Sequence, residues 1–359
     1  MDSVTQLLFG GVVAQAGARR ILGRRAVAAG GLMATLPDLD VLSGLFGHEA
    51  ITDGWLYHRA ITHSIPATLV YGTAIGWLIW KAERLRRKPA DTEEDRNRRH
   101  CWMWLGALCC VTHPVLDLFT AYGTQLLAPF SQARFAIDAM PIIDPLYSLP
   151  LLVVFLFGLF SREKARHVQR MARIALVYVV LYTAMAWGVG LHMQDRARQE
   201  LRAQYPVQAD VARMAAYPVI FQPWWRRVVV DLPDTILIGF ASPFAKEPIR
   251  WQSIPRPDRS AALKAAEATY EAGVFRWFAD GRLHWTLKPD PRPDNAGGLI
   301  AEARDYRYGM PGESILGFWG LRFRLDAQYR VLGEPERLAE RPGFSRAGFA
   351  ELWNGVLGR

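Results

Sequence analysis

Cysteine is scarce in this 359-residue chain: Cys101, Cys109 and Cys110 are the only three, all in one apolar stretch. That spacing builds neither a disulfide scaffold nor a zinc ribbon. No internal repeat or low-complexity tract is visible, which excludes solenoids and a disordered linker protein. The first apolar run is not preceded by a basic segment, so a cleaved signal peptide is not expected. Acidic residues are outnumbered by basic ones, 34 against 43, for a net charge of +9. An excess of this sign can mark nucleic-acid binding, but only where the cations share one surface. Here they fall between apolar runs, which points to a membrane and against nucleic acid.

Long apolar runs are present, almost all before residue 193. A bilayer core needs roughly 20 apolar residues as helix. Candidates are Val4 to Ala18 (the weakest, interrupted by Gln6 and Gln15), Ala26 to Phe46, Ser64 to Trp80, Cys101 to Phe119, Pro145 to Phe160 and Ala172 to His192. The expected fold is an α-helical multi-span membrane bundle of five to six transmembrane helices over residues 1–192. A soluble α/β domain, of α+β character, follows over 193–359. Basic residues fix the orientation: Arg19, Arg20, Arg24 and Arg25 lie after the first run, eight lie in 81–100 and five in 161–173, against only Arg59 and Arg134 in the alternate loops. The basic side faces the cytoplasm. Residues 193–359 are then extracytoplasmic, facing the periplasm or exterior, on a multi-pass membrane protein.

In the second half, residues 195–216 read as helical, as does Ser260 to Glu271. Strand character appears at Arg227 to Asp231, Thr235 to Phe240, Val274 to Phe278, His284 to Leu287 and Ser314 to Leu325. Asp280-Gly281 is a hairpin-like signal. No catalytic motif stands out, and His284 alone reads as structural.

Ionisable groups inside apolar runs are costly and usually functional. They cluster in three motifs: Leu36-Pro37-Asp38-Leu39-Asp40, His58-Arg59-Ala60-Ile61-Thr62-His63, and His113-Pro114-Val115-Leu116-Asp117. His113 and Asp117 share a helical face at i, i+4. With a rise of about 1.5 Å per residue, Asp38 and His113 both lie about 18 Å along their runs from the cytoplasmic end, so the motifs converge toward the outer leaflet. Asp38, Asp40, His58, His63, His113 and Asp117 are a ligand set for one or two divalent metal ions, zinc or manganese for preference. Asp40 or Asp117 would serve as general base, and Arg59 would hold a phosphate. His48 and Glu49 are left out of the set, and Asp144 before Pro145 reads as a helix cap.

These motifs, with Thr5-Gln6-Leu7-Leu8, Thr120, Gly123, Leu126-Leu127, Pro129-Phe130-Ser131 and Ile143-Asp144-Pro145-Leu146-Tyr147, resemble the bacterial family of predicted membrane-bound metal-dependent hydrolases, some members of which are LexA-regulated. The resemblance covers residues 1–192 and implies a hydrolase-like metal site on the same six residues. Members often carry His where this chain has Gln6, which removes one imidazole. The expected function is a metal-dependent hydrolase of the bacterial inner membrane with an outward-facing site, acting on a phosphoester or related bond of a lipid-like or lipid-linked substrate. Two alternatives stand beside it: a non-catalytic, metal-braced membrane protein whose outer domain binds a partner, and a transporter.

Overall fold

The computed structural model describes residues 1–46, 50–87, 92–161, 165–203, 206–310, 315–339 and 346–357. His48 and Glu49 lie outside the described residues, as does the start of the expected strand at Ser314. The chain divides into two compact units. The first comprises Met1–Gly47, Tyr57–Trp187 and Ile220–Gln222; the second His48–Leu56, Gly188–Val219 and Pro223–Arg359.

The first unit is helical: α1 (Ser3–Gly17), α2 (Arg19–Leu22), α3 (Arg25–Thr35), then, beyond α4 (Asp53–Leu56) of the second unit, α5 (Ile65–Arg87), α6 (Glu93–Leu118), α7 (Pro145–Phe160) and the start of α8 (Ala165–Arg202). Local chemistry sets the helix starts. Asp2 accepts a hydrogen bond from the Thr5 amide and caps α1. Thr92 accepts from the Asp95 amide at the head of α6, whose first turn carries Glu93, Glu94 and Asp95 against the positive end of the helix dipole. Asp144 accepts from the Leu146 and Tyr147 amides, with Pro145 at the first helical position of α7. Glycine allows the closest helix approach. A β-carbon at Gly72 of α5 would lie 2.5 Å from the Gly106 carbonyl oxygen of α6, so two backbones meet where no larger residue fits. Leu8, Val12, Leu116, Met140, Tyr147 and Leu151 form one apolar core, and Val13, Met33, Trp80, Trp102 and Leu105 a second.

The expectation of a bundle of five to six transmembrane helices is not met. Among the described residues only α6 and α8 are long and apolar enough to cross a membrane, with α7 a shorter apolar helix. The reasons are local. The first run makes only the 15-residue α1, about 22 Å at 1.5 Å per residue, most of it buried inside the protein. The second run breaks at Pro37: proline has no backbone N–H to donate back to Met33, so α3 ends at Thr35 and Leu36–Phe46 continues as 3-10 helix. The apolar part of α5 stops at Lys81, about 24 Å from Ile65. The two longer helices also differ from one another. The apolar stretch of α6 is 61% buried within the protein, that of α8 only 33%, and α8 exposes Ile174, Val177, Val180 and Leu181.

The second unit holds the end of α8, α9 (Pro206–Val211) and two four-stranded antiparallel sheets. The first sheet joins β1 (Arg213–Pro218), β2 (Arg226–Asp231), β3 (Thr235–Ala241) and β4 (Gln252–Pro255) in sequence order. The second joins β5 (Leu283–Pro289), β6 (Leu299–Asp305), β7 (Trp319–Leu325) and β8 (Glu336–Ala339). Between the sheets in sequence come α10 (Ala261–Glu267) and α11 (Tyr270–Phe278); α12 (Arg346–Val356) closes the unit. The α/β expectation is corrected accordingly: every strand pairing is antiparallel and sequential, which needs no crossover helices. Val274 to Phe278, expected as strand, is the end of α11, because Thr269 caps that helix by accepting from the Ala272 amide. Asp280 and Gly281, both at positive φ, turn α11 into β5 rather than closing a hairpin. Trp55 of α4 belongs to this unit, stacked on Phe275 at 4.5 Å.

Candidate metal centre

Three separate stretches of chain bring the site together in the first unit. The 3-10 segment carries Asp38 and Asp40. A short 3-10 turn, Ile61–His63, carries His63, and α6 carries His113 and Asp117 one turn apart. Asp38, His63 and His113 each offer one ligand atom, and these atoms lie within 4.8 Å of one another, a candidate metal-binding triad. His63 and His113 are fully buried, while Asp38 retains 20% of its side-chain exposure.

The distances sharpen this grouping. Asp38 Oδ1 lies 3.2 Å from His113 Nε2 and 3.5 Å from His63 Nε2. Asp117 Oδ2 lies 3.5 Å from each of the same two nitrogens. His63 Nε2, His113 Nε2 and Asp117 Oδ2 are all buried without a hydrogen-bond partner. Orphaned buried polar atoms are rare and costly, and two such imidazole nitrogens with carboxylate oxygens 3.2 to 3.5 Å away are an arrangement a cation satisfies. The donor set, imidazole nitrogen with carboxylate oxygen, fits a divalent transition ion.

The opposite ring nitrogens are occupied. His113 Nδ1 sits 2.6 Å from the Ala34 carbonyl oxygen, and since that oxygen only accepts, Nδ1 carries a proton and Nε2 is the nitrogen turned toward the carboxylates. His63 Nδ1 faces Asp40 Oδ2 at 3.2 Å and Thr62 Oγ1 at 3.0 Å. Imidazoles that ligate metals are oriented in this way, through the nitrogen that does not bind.

Asp40 therefore sits behind His63. Its Oδ1 meets His58 Nδ1 at 2.9 Å; its Oδ2 accepts from the Arg59 amide at 3.1 Å and the Thr62 hydroxyl at 3.0 Å. Burial alone would raise the Asp40 carboxyl, but the hydrogen bonds from His58 and His63 overcome it and hold the group well below the usual carboxylate range. His58 lies on Asp40, outside the triad, with a quarter of its side chain exposed. Arg59, at positive φ, turns its guanidinium inward: Nε lies 3.2 Å from Asp117 Oδ2, Nη1 donates to Thr120 Oγ1 at 3.0 Å, and the group rests 4.7 Å from the centre of the Tyr122 ring. Gln6 donates to Asp117 Oδ1 at 3.2 Å, and the Met1 amino group also contacts that oxygen. Gln6 is thus at the site, as a donor to a carboxylate rather than a ligand.

Ser3 and Tyr122 were not singled out in the sequence. Ser3 donates to Asp38 Oδ2 at 2.5 Å, and Tyr122 supports both Arg59 and, edge-on at 5.4 Å, His58. Neither residue type nor its neighbours signals such a role; only the fold brings them in.

A search of solved structures finds no match. Among curated proteins, the uncharacterized protein YfhP of Bacillus subtilis strain 168 is 33% identical over 109 residues, which is 30% of this chain and 29% of the relative, so the match spans under a third of either. The family of YdjM inner membrane proteins matches residues 1–193, the stretch that contains every residue of the metal centre. With a matched region of this extent, consistent with the LexA-regulated resemblance, the chain belongs to the YdjM inner membrane protein family.

Proposed function

We propose that the protein is a membrane-bound, metal-dependent hydrolase whose ion is held by Asp38, His63, His113 and Asp117. The observation that carries this reading is the spacing of the four ligand atoms. For tetrahedral ligation at about 2.0–2.1 Å, ligand atoms stand about 3.3–3.4 Å apart. Four separations, each from an imidazole nitrogen to a carboxylate oxygen, are 3.2 to 3.5 Å and so close to that edge length; Asp38, His63 and His113 form the compact triad, with Asp117 beside both imidazoles. Two neutral imidazoles and two carboxylates balance a divalent charge, and zinc or manganese suits the donor set. When bound, such an ion supplies Lewis acidity and a water acidic enough to react near neutral pH.

The chain's own residues do the rest. Asp40 orients His63 and, through its other oxygen, His58; this partly exposed pair takes up the proton that hydrolysis releases. Arg59 pairs with Asp117 and donates to Thr120. Asp38 and His58 retain exposure, which gives the buried centre an approach; a metal that only braced the fold would need none. An inner-membrane setting favours a phosphoester or related bond of a lipid-like substrate. The basic residues of 81–100 and 161–173 precede the apolar parts of α6 and α8. By the positive-inside rule this supports an extracytoplasmic second unit.

The test begins with metal analysis of the purified protein, which should hold one divalent ion per chain. Hydrolysis of lipid phosphate esters by protein in nanodiscs should then fall to background in Asp117→Asn, with helical content retained by circular dichroism. A metal-loaded protein inert toward every ester, but strongly destabilised by chelation, would favour the bracing role instead.

A further inference from the structure

The three segments that build the metal centre turn apolar side chains outward and charged ones inward. In residues 36–42 the exposed side chains are those of Leu39, Val41 and Leu42, while Asp38 and Asp40 turn toward the imidazoles. In 57–70 they are Tyr57, Ile61, Leu69 and Val70, while Arg59 and His63 are buried. In 119–130 they are Leu127, Pro129 and Phe130, the last 84% exposed. None of the exposed residues in these three stretches carries a charge. A water-facing surface mixes exposed apolar residues with charged ones, as the second unit does with Asp258, Arg259, Lys264 and Asp280.

Hydrogen bonds join the three segments. The Arg59 amide donates to Asp40 Oδ2 at 3.1 Å, the Gln125 amide to the Arg59 carbonyl at 3.0 Å and the Ile65 amide to the Leu126 carbonyl at 2.9 Å. The approach to the centre opens among them: exposed Leu39 is next to Asp38 and exposed Tyr57 next to His58, the two site residues that keep some exposure. Exposed apolar surface of this kind meets lipid or a protein partner, and its continuity with α6 selects lipid. That helix is long and apolar enough to cross a membrane and exposes Trp104, Leu108 and Val115 along one face. Its last turn carries Asp117, and residues 119–130 follow directly. Irregular backbone is not tolerated in bare hydrocarbon, so these segments belong at the interface, with side chains reaching about 5–10 Å into the boundary of headgroups and acyl chains.

We infer that this apolar collar enters the lipid bilayer at the end of α6, and that the metal centre takes its substrate from the lipid, as an ester bearing an acyl chain, rather than from water. The bilayer contact stands on the exposed side chains alone; the choice of substrate rests on the hydrolase reading above.

Two readouts separate these parts. For the contact, Phe130→Cys, Ile61→Cys and, as control, Lys264→Cys of the second unit are each made in a Cys101→Ser background, since Cys109 and Cys110 are buried. Each full chain, free of metal and reconstituted in vesicles, is labelled with a polarity-sensitive fluorophore. Labels at 130 and 61 should emit at shorter wavelength than the label at 264 and be quenched by lipids that carry a doxyl group near the head of the acyl chain. Quenching no stronger than at 264, whether the labels are wet or covered by protein, overturns the inference. For the substrate, the metal-loaded chain is offered long-chain phosphatidic acid in vesicles and water-soluble p-nitrophenyl phosphate. In Leu127→Ser/Phe130→Ser the ratio of kcat/KM for the lipid to that for the soluble ester should fall at least about tenfold, the scale of losing the burial of a large apolar side chain. Both side chains are exposed, and circular dichroism checks that the fold is kept. An unchanged ratio overturns the choice of substrate. Quenching at 130 and 61 in a protein inert toward both esters supports the bilayer contact and removes the hydrolase reading instead.

Discussion

The two units surround their buried carboxylates differently. In the sheet unit they are closed off by partners: Asp231 is met by Arg256, Arg282 and Tyr306, Asp305 by Arg307, and Asp290 by Arg292 and Asn295. In the helical unit Asp117 also has partners, Arg59, Gln6 and the Met1 amino group, but the buried Nε2 atoms of His63 and His113 beside it have no hydrogen bond. A satisfied network holds a fold together. Imidazole nitrogens left without a hydrogen bond beside carboxylates make a candidate ligand set. The same residue types therefore carry different meanings, and what separates them is the partner count of particular atoms rather than composition.

The contrast can be broken in several places. The largest effect should come from replacing His113 by Ala, which removes a ligand: uptake of one zinc per chain should be lost in equilibrium dialysis, while the sheet unit stays folded. In the closed network, Asp231→Ala strands Arg282, which is almost fully buried. It should cost about 3–5 kcal/mol of stability, read by denaturant unfolding, and leave metal uptake intact. Asp40→Asn lies between the two kinds of role. It keeps the shape but weakens the hold on His63, and should lower metal affinity about 10- to 100-fold with little change in melting temperature. The smallest effect should be Thr92→Ala at the head of α6, about 1 kcal/mol from a lost cap, with metal binding unchanged.

Much of the candidate triad was legible in the sequence because its signals are short-range. The His113 and Asp117 pair needs only helical periodicity, and Pro37 before Asp38 marks the break that frees Asp38 and Asp40 from an α-helix. The role of Asp40 was not legible, because whether a carboxylate binds an ion or the imidazole that binds it depends on a few tenths of an ångström in tertiary packing. The spans were over-read for a related reason. Apolar content alone does not reveal whether a helix faces lipid or protein, so α1, whose apolar residues are buried in the helical unit, looks like a membrane segment. In the sheet unit, Val274 to Phe278 is rich in β-branched and aromatic residues and fits strand or helix; the Thr269 cap decides it.

The central claim is that Asp38, His63, His113 and Asp117 hold one ion and that His58 stands outside it. Zinc titration of the metal-free full chain, followed by calorimetry, tests it most directly. The account predicts one ion per chain in the wild type and in His58→Ala, and none in His63→Ala/His113→Ala. Full stoichiometry retained in that double variant, or loss of the ion in His58→Ala, would contradict it.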